Sequence, residues 1–264
     1  MGAGNHYVDI LADEEDRVWV GVHFGSRGFG HTVASNFIAL SQGLRWGQRG
    51  RQIEVLLPLD RPLGKDYWAL MTLAGRYAYA GREWVARKVV EILGGREEEL
   101  VHNHHNFAWV ETLDTPDGPR EMVVIRKGAT PAYPGQKGFV GGSMADDAVI
   151  LQGATDPSAA ELQERALHST VHGAGRIMSR SAARGKRRRG KIVRAPAVDV
   201  HEMRRLLERR GVILRGGDLD EAPQVYRKLD DVLAAQGGTI EILHRLRPIL
   251  VCMAPRGTFD PYKD

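Results

Sequence analysis

The chain has 264 residues, 42% hydrophobic and 27% charged, with a formal net charge of +4, which is ordinary for a globular protein with a real core. No run of about 18 apolar residues is present, which excludes a membrane-spanning helix, and the first residues lack the charged and apolar regions of a signal peptide. The single cysteine, Cys252, excludes an internal disulfide and fits a reducing, cytoplasmic setting.

In chain order, Arg17 to His23 (RVWVGVH) reads as a buried strand that ends at the turn Gly25-Ser26-Arg27-Gly28. Thr32 to Leu40 reads as a short helix with Thr32 as its cap. Asp66 to Leu93 is the strongest helical pattern: Tyr67, Leu70, Met71, Ala74, Tyr77, Ala78, Val85, Val89 and Ile92 share one face, read as core packing, and Gly94 and Gly95 end it. Glu121 to Arg126 reads as a strand, Pro131 to Gly142 as a loop and Ala148 to Gln152 as a buried strand. A helix is expected to begin near Gly173, with others over Val200 to Arg210 and Gln224 to Gln236. Thr239 to Met253 alternates poorly and contains Pro248, which predicts a bent or edge strand. Strands and helices mix without a βαβ cadence, so the expected fold is α+β: a mixed β-sheet core surrounded by α-helices, in one domain over residues 1–264.

The chemistry gathers at histidines and glycine turns. His6 follows the turn Gly2-Ala3-Gly4, His23 closes a strand, and His102, His104 and His105 fall together. Three separated imidazoles that converge would bind Mn, Fe, Ni, Cu or Zn. Four segments look built for phosphate: His23 to Gly28, Arg126 to Thr130, Gly141 to Met144, and His172 to Arg176. Each offers backbone N–H groups, a hydroxyl or a cation, and together they favour phosphoryl or nucleotidyl transfer. Six basic residues between Arg184 and Lys191 read as a solvated loop or a phosphate-backbone contact.

These segments, in this order, resemble the RtcB-type RNA-splicing ligases. The matching motifs are Gly2-Ala3-Gly4-Asn5-His6, HFGSRGFG from His23, His105-Asn106 through Glu111, RKGAT from Arg126, Gly142-Ser143-Met144, HGAGR with Ser179-Arg180, and Arg247-Pro248. The resemblance implies a GTP- and Mn²⁺-dependent ligase that joins an RNA 3′-phosphate or 2′,3′-cyclic phosphate to a 5′-hydroxyl through a histidine–GMP intermediate. His172 would be the nucleophile, and His6, His23 and His105 the metal ligands. Asn5, His105, Asn106, Gly142, Ser143, Met144, Gly173, Ala174 and Gly175 would line the GMP, with Asp9 at the guanine and Tyr226 stacked on the base. Arg27, Arg126, Lys127, Arg176 and Arg180 would hold RNA or nucleotide phosphates. RNA, GTP and an activating protein are the implied partners.

Three departures accompany the match. The family carries an upstream segment whose aspartate and cysteine complete the metal site; the chain starts at the Asn5-His6 motif, so His6 and His23 are left for one ion and His105 for the other. Met253 stands where the family has a lysine at the nucleotide, and Ala145 and Ala148 replace a glycine and a hydroxyl residue. The chain is then either a piece of a longer protein or a short homologue, and a catalytically impaired RNA- or GMP-binding relative that works with a partner chain is the alternative reading.

Overall fold

The computed structural model describes residues 4–188 and 191–258. In chain order these residues form β1 (Tyr7–Ala12), β2 (Val18–His23), α1 (Gly28–Ser41), α2 (Pro62–Ile92), β3 (Asn106–Leu113), β4 (Arg120–Lys127), β5 (Ala129–Pro131), β6 (Lys137–Val140), β7 (Ala148–Gly153), α3 (Ala160–Arg165), β8 (Ser169–Val171), α4 (Arg180–Arg184), β9 (Lys186–Arg188), β10 (Lys191–Arg194), α5 (Val200–Arg209), β11 (Ile213–Arg215), α6 (Leu229–Ala234) and β12 (Ile240–Met253). The architecture is α+β. No helix among them is long and apolar enough to cross a membrane.

The main sheet runs in the order β2-β1-β12-β7-β6, antiparallel throughout, with β11 added to β12 in parallel. The expectation of an edge strand at the C-terminal end is corrected. β12 is the spine: its first half pairs with β7 and its second half with β1. Pro248 is tolerated there because it sits opposite Leu11, next to a register shift where the ladder is already interrupted. A second irregularity between Ile242 and His244 supplies the expected bend.

The apolar run of β7 has both faces covered. Val149 and Leu151 pack against Leu229 and Leu233 of α6, while Ala148 and Ile150 pack with Leu11 and Leu246. A third cluster joins Met203 and Leu207 of α5 to Met144, Val251 and Met253. Burying each large side chain stabilises the fold by about 1.5–3 kcal/mol.

Other local expectations change for identifiable reasons. No helix starts at Gly173: that residue bridges Gly141, and Gly175 has φ +74°, so helix α4 begins only at Arg180 with Ser179 as its cap. The helix expected over Gln224 to Gln236 shrinks to α6, because Tyr226 is extended to bridge Arg176. The loop expected over Pro131 to Gly142 contains β6, paired with β7. In α2 the buried positions are Gly64, Ala74, Gly75 and Ala78, while Tyr77 and Ile92 of the expected core face are exposed. Gly75 lies so close to Phe107 that a Cβ would stand 2.5 Å from its ring, which draws the helix onto the β3–β4 hairpin.

Candidate functional site

Pairing of β1 with β2 sets Tyr7 opposite His23, and their rings stack at 5.1 Å. His23 stacks in turn on His105, 4.8 Å away and within 5° of parallel, and His105 stacks on His172 at 4.6 Å. Four segments distant in sequence therefore deliver one column of rings. The three imidazoles line a cleft of about 1660 Å³, together with Asn5, His6, Arg27, Asn106 and Lys127.

Gly128 ties the column at its end. Its N–H donates to the carbonyl of His105 at 2.8 Å, and its own carbonyl accepts from His172 Nδ1 at 2.7 Å. The φ of +74° is what presents both groups of this glycine to the two histidines. A carbonyl can only accept, so His172 carries its proton on Nδ1 and keeps the lone pair on Nε2. Burial holds His172 below the ordinary histidine range, against the opposing pull of the Gly128 carbonyl. Burial, reinforced by neighbouring imidazoles, lowers His105 to about 4 and His23 well below its usual value. At neutral pH all three imidazoles are uncharged, the state that a nucleophile or a metal ligand requires.

His6 is placed differently. Arg27, with φ 56° and ψ −161°, occupies backbone space that is essentially glycine's, at a cost of about 1–3 kcal/mol. Its Nη1 donates to His6 Nδ1 at 2.8 Å. His23 stacks on His105 while His6 meets Arg27, and His6 still lies near enough to His23 to help lower its pKa. Among the described residues, the trio whose donor atoms lie within 4.8 Å of one another is Asp13, Glu14 and His244, not His6, His23 and His105. Asp13 is already occupied by Arg17, Trp19 and two backbone N–H groups.

The glycine loops expected to meet a nucleotide adjoin this column. Gly141 bridges Gly173, and Ala174 N–H donates to the Gly141 carbonyl at 3.3 Å. A Cβ on Gly141 would lie 2.5 Å from Tyr7 Oη, and one on Gly142 would lie 2.5 Å from the Asp147 carbonyl, so neither position admits a side chain. Ser143 is buried and donates to Asp146 Oδ2. The side chains of Met144 and Ala174 are buried in the core clusters. Asp9 keeps a buried Oδ1 without a partner, and burial raises its pKa well above the usual carboxylate range.

The arginines divide into two groups. Arg126 is corrected from the phosphate-binding set: it is 2% exposed, forked onto Glu111 at 2.6 and 3.0 Å, donates to Ser169 Oγ and the Leu167 carbonyl, and lies over Trp109. Arg176 lies over the Tyr226 ring at 5.2 Å and pairs with Glu221, to which the Tyr226 hydroxyl also donates. Arg180 pairs with Glu221 and Asp220, and Arg184 with Asp218 and Asp220. One end of the basic run is thus neutralised internally; residues 189 and 190 of it lie outside the described residues. Lys127 and Arg27 are exposed at the cleft. Sequence reasoning missed the acid pair Asp220-Glu221, the base of the column at Tyr7, and Arg82 in the cleft wall.

The family model described as tRNA-splicing ligase RtcB matches residues 1–254. The chain belongs to the RtcB family. A tRNA-splicing ligase RtcB of Archaeoglobus fulgidus is 32% identical over 94% of this chain, and an RNA-splicing ligase RtcB of Escherichia coli K12 is 30% identical over 96%. The tRNA-splicing ligase RtcB of Pyrococcus furiosus is 31% identical over 94% of the chain. The chain spans 58% and 60% of the length of the first two relatives and 29% of the third. The RtcB match takes in every segment of the ring column, from Tyr7 to His172.

Proposed function

We propose that the chain carries the nucleotidyl-transfer centre of an RNA ligase, using GTP to join an RNA 3′-phosphate or 2′,3′-cyclic phosphate to a 5′-hydroxyl. The observation that carries this reading is the Gly128 carbonyl on His172 Nδ1, which leaves Nε2 as the attacking atom. Nε2 bonds to the α-phosphorus of GTP as the bond to pyrophosphate breaks. Water first opens a 2′,3′-cyclic phosphate at its P–O2′ bond to leave the 3′-phosphate; the GMP then passes to that 3′-phosphate, and attack by the 5′-hydroxyl on its phosphorus releases GMP. Gly142, Gly173 and Gly175 supply backbone close to the phosphates. The buried, unpartnered Oδ1 of Asp9 suits the polar edge of guanine, and Tyr226 suits its face. Lys127 and Arg27 hold RNA phosphates, while Arg176 and Arg180 act from their acidic anchors. A cytoplasmic setting belongs to the same proposal.

The donor set fits Mn²⁺ in its chemistry: neutral imidazoles at His23 and His105, with His6 able to join when Arg27 turns to a phosphate. Bound there, the ion would neutralise charge on the transferring phosphate. The engagement of His6 Nδ1 by Arg27 favours a second reading, an RNA- or GMP-binding relative that acts with a partner chain.

Incubation with α-labelled GTP and Mn²⁺ decides between them. An acid-labile, alkali-stable guanylyl adduct is expected on the intact chain and is lost in H172A. An adduct that survives in H172A would overturn the nucleophile, and GTP binding without any adduct would favour the second reading.

A further inference from the structure

Arg82 projects from α2 into the wall of the cleft, partly buried, with no carboxylate accepting from it among the described residues. Its three nitrogens are spent on two segments distant in sequence. Nη1 donates to the carbonyl of Phe24 at 2.9 Å, Nε to His102 Nε2 at 3.0 Å, and Nη2 lies 3.5 Å from His104 Nδ1. The guanidinium also covers the Tyr79 ring at 5.2 Å. Phe24 directly follows His23, and His104 directly precedes His105. We propose that Arg82 is a positioning residue: it ties the end of β2 to the segment ahead of β3 and so holds the His23 and His105 rings in register.

The choice of arginine follows from geometry. Only a planar guanidinium presents donors in several fixed directions, and it stays charged when buried. As a donor it also selects the acceptor nitrogen of each imidazole that it meets. His102 then keeps its proton on Nδ1, 3.9 Å from Glu83 Oε1, and His104 keeps its proton on Nε2. A strut that merely filled the wall would need one of these contacts. Arg82 makes them on both sides of the ring pair, and a buried charge without an acidic partner is costly to keep for packing alone.

The metal arm of the test rests on the proposed ligand role of His23 and His105; the second arm does not. In the full chain, R82Q should weaken Co²⁺ binding, followed by its visible absorption, by about 10–100-fold, as loss of an outer-shell partner does. R82K keeps the charge but reaches fewer acceptors, so it should fall between R82Q and the unaltered chain; it serves the same comparison if R82Q does not fold. In the metal-free protein, the ring protons of His23 and His105 should lose the ring-current shifts of a parallel stack in R82Q, while the Trp19 indole resonance stays in place. Unchanged histidine resonances in folded R82Q would overturn the proposal. No Co²⁺ binding by the unaltered chain would count against the ligand reading alone and leave the resonances to decide on Arg82.

Discussion

A single glycine governs the reactive histidine. Gly128 donates its N–H to the His105 carbonyl and accepts with its own carbonyl from His172 Nδ1, so one glycine sets both the stacking partner and the tautomer of the proposed nucleophile. G128A tests this. An L side chain is strained at φ +74°, and its Cβ would sit 3.5 Å from His172 Cε1, so backbone and imidazole must shift together. Guanylylation should fall by about 10–100-fold, the scale of a sub-ångström to 1 Å misplacement, with the fold retained. A rate equal to that of the unaltered chain would show that Nδ1 needs no such anchor. This clamp was not legible in the sequence. RKGAT read as two cations before a turn, whereas the working group is the glycine carbonyl.

At the scale of elements, the β3–β4 hairpin has a polar joint in its inner face. Arg126 and Glu111 face each other with side chains 2% and 11% exposed, and Ser169 and the Leu167 carbonyl complete the fork. Removing one partner of such a pair strands the other charge, so R126A should lose about 3–5 kcal/mol of stability in denaturant titration. The same variant, where folded, should bind RNA with unchanged salt dependence, whereas K127A should reduce the slope by about 1. A reduced slope in R126A would restore Arg126 to the RNA-contacting set. Sequence pattern carries α2, α5 and β7 well, because their periodicity and their ends are local. It mislocates β12 and the segment after His172, since a proline at a bulge and the Gly141–Gly173 bridge are set by partners more than 30 positions away. A basic residue at a strand end gives no sign of the carboxylate that buries it.

Across the whole molecule, the cleft concentrates imidazoles kept neutral by burial. His102 and His105 are lowered to about 4 and His104 to about 3, and His23 and His172 are also lowered. In the unfolded chain these groups take protons near pH 6.5. From there down to about pH 4 the unfolded state binds more protons, so stability falls as pH falls, and it flattens once the folded protein also protonates. Asp9 and Glu221, raised by burial, act in the opposite sense, but the five histidines outnumber them. The Tm of metal-free protein should therefore drop steadily from pH 6.5 to 4.5; a constant Tm would mean that the imidazoles are solvated. The candidate site was legible as residue types and order, which is why His23, His105 and His172 are found together. Their column was not, because ring stacking between β1, β2 and two loops has no signature in spacing.

The central claim is that His172 forms a bond to phosphorus through Nε2. The most direct measurement is the ³¹P–¹⁵N coupling in chain labelled with ¹⁵N-histidine, after reaction with GTP and Mn²⁺. The account expects one phosphoramidate per chain, coupled to Nε2 of His172 and absent from H172A; coupling through Nδ1, or a phosphoramidate on another histidine, would contradict it.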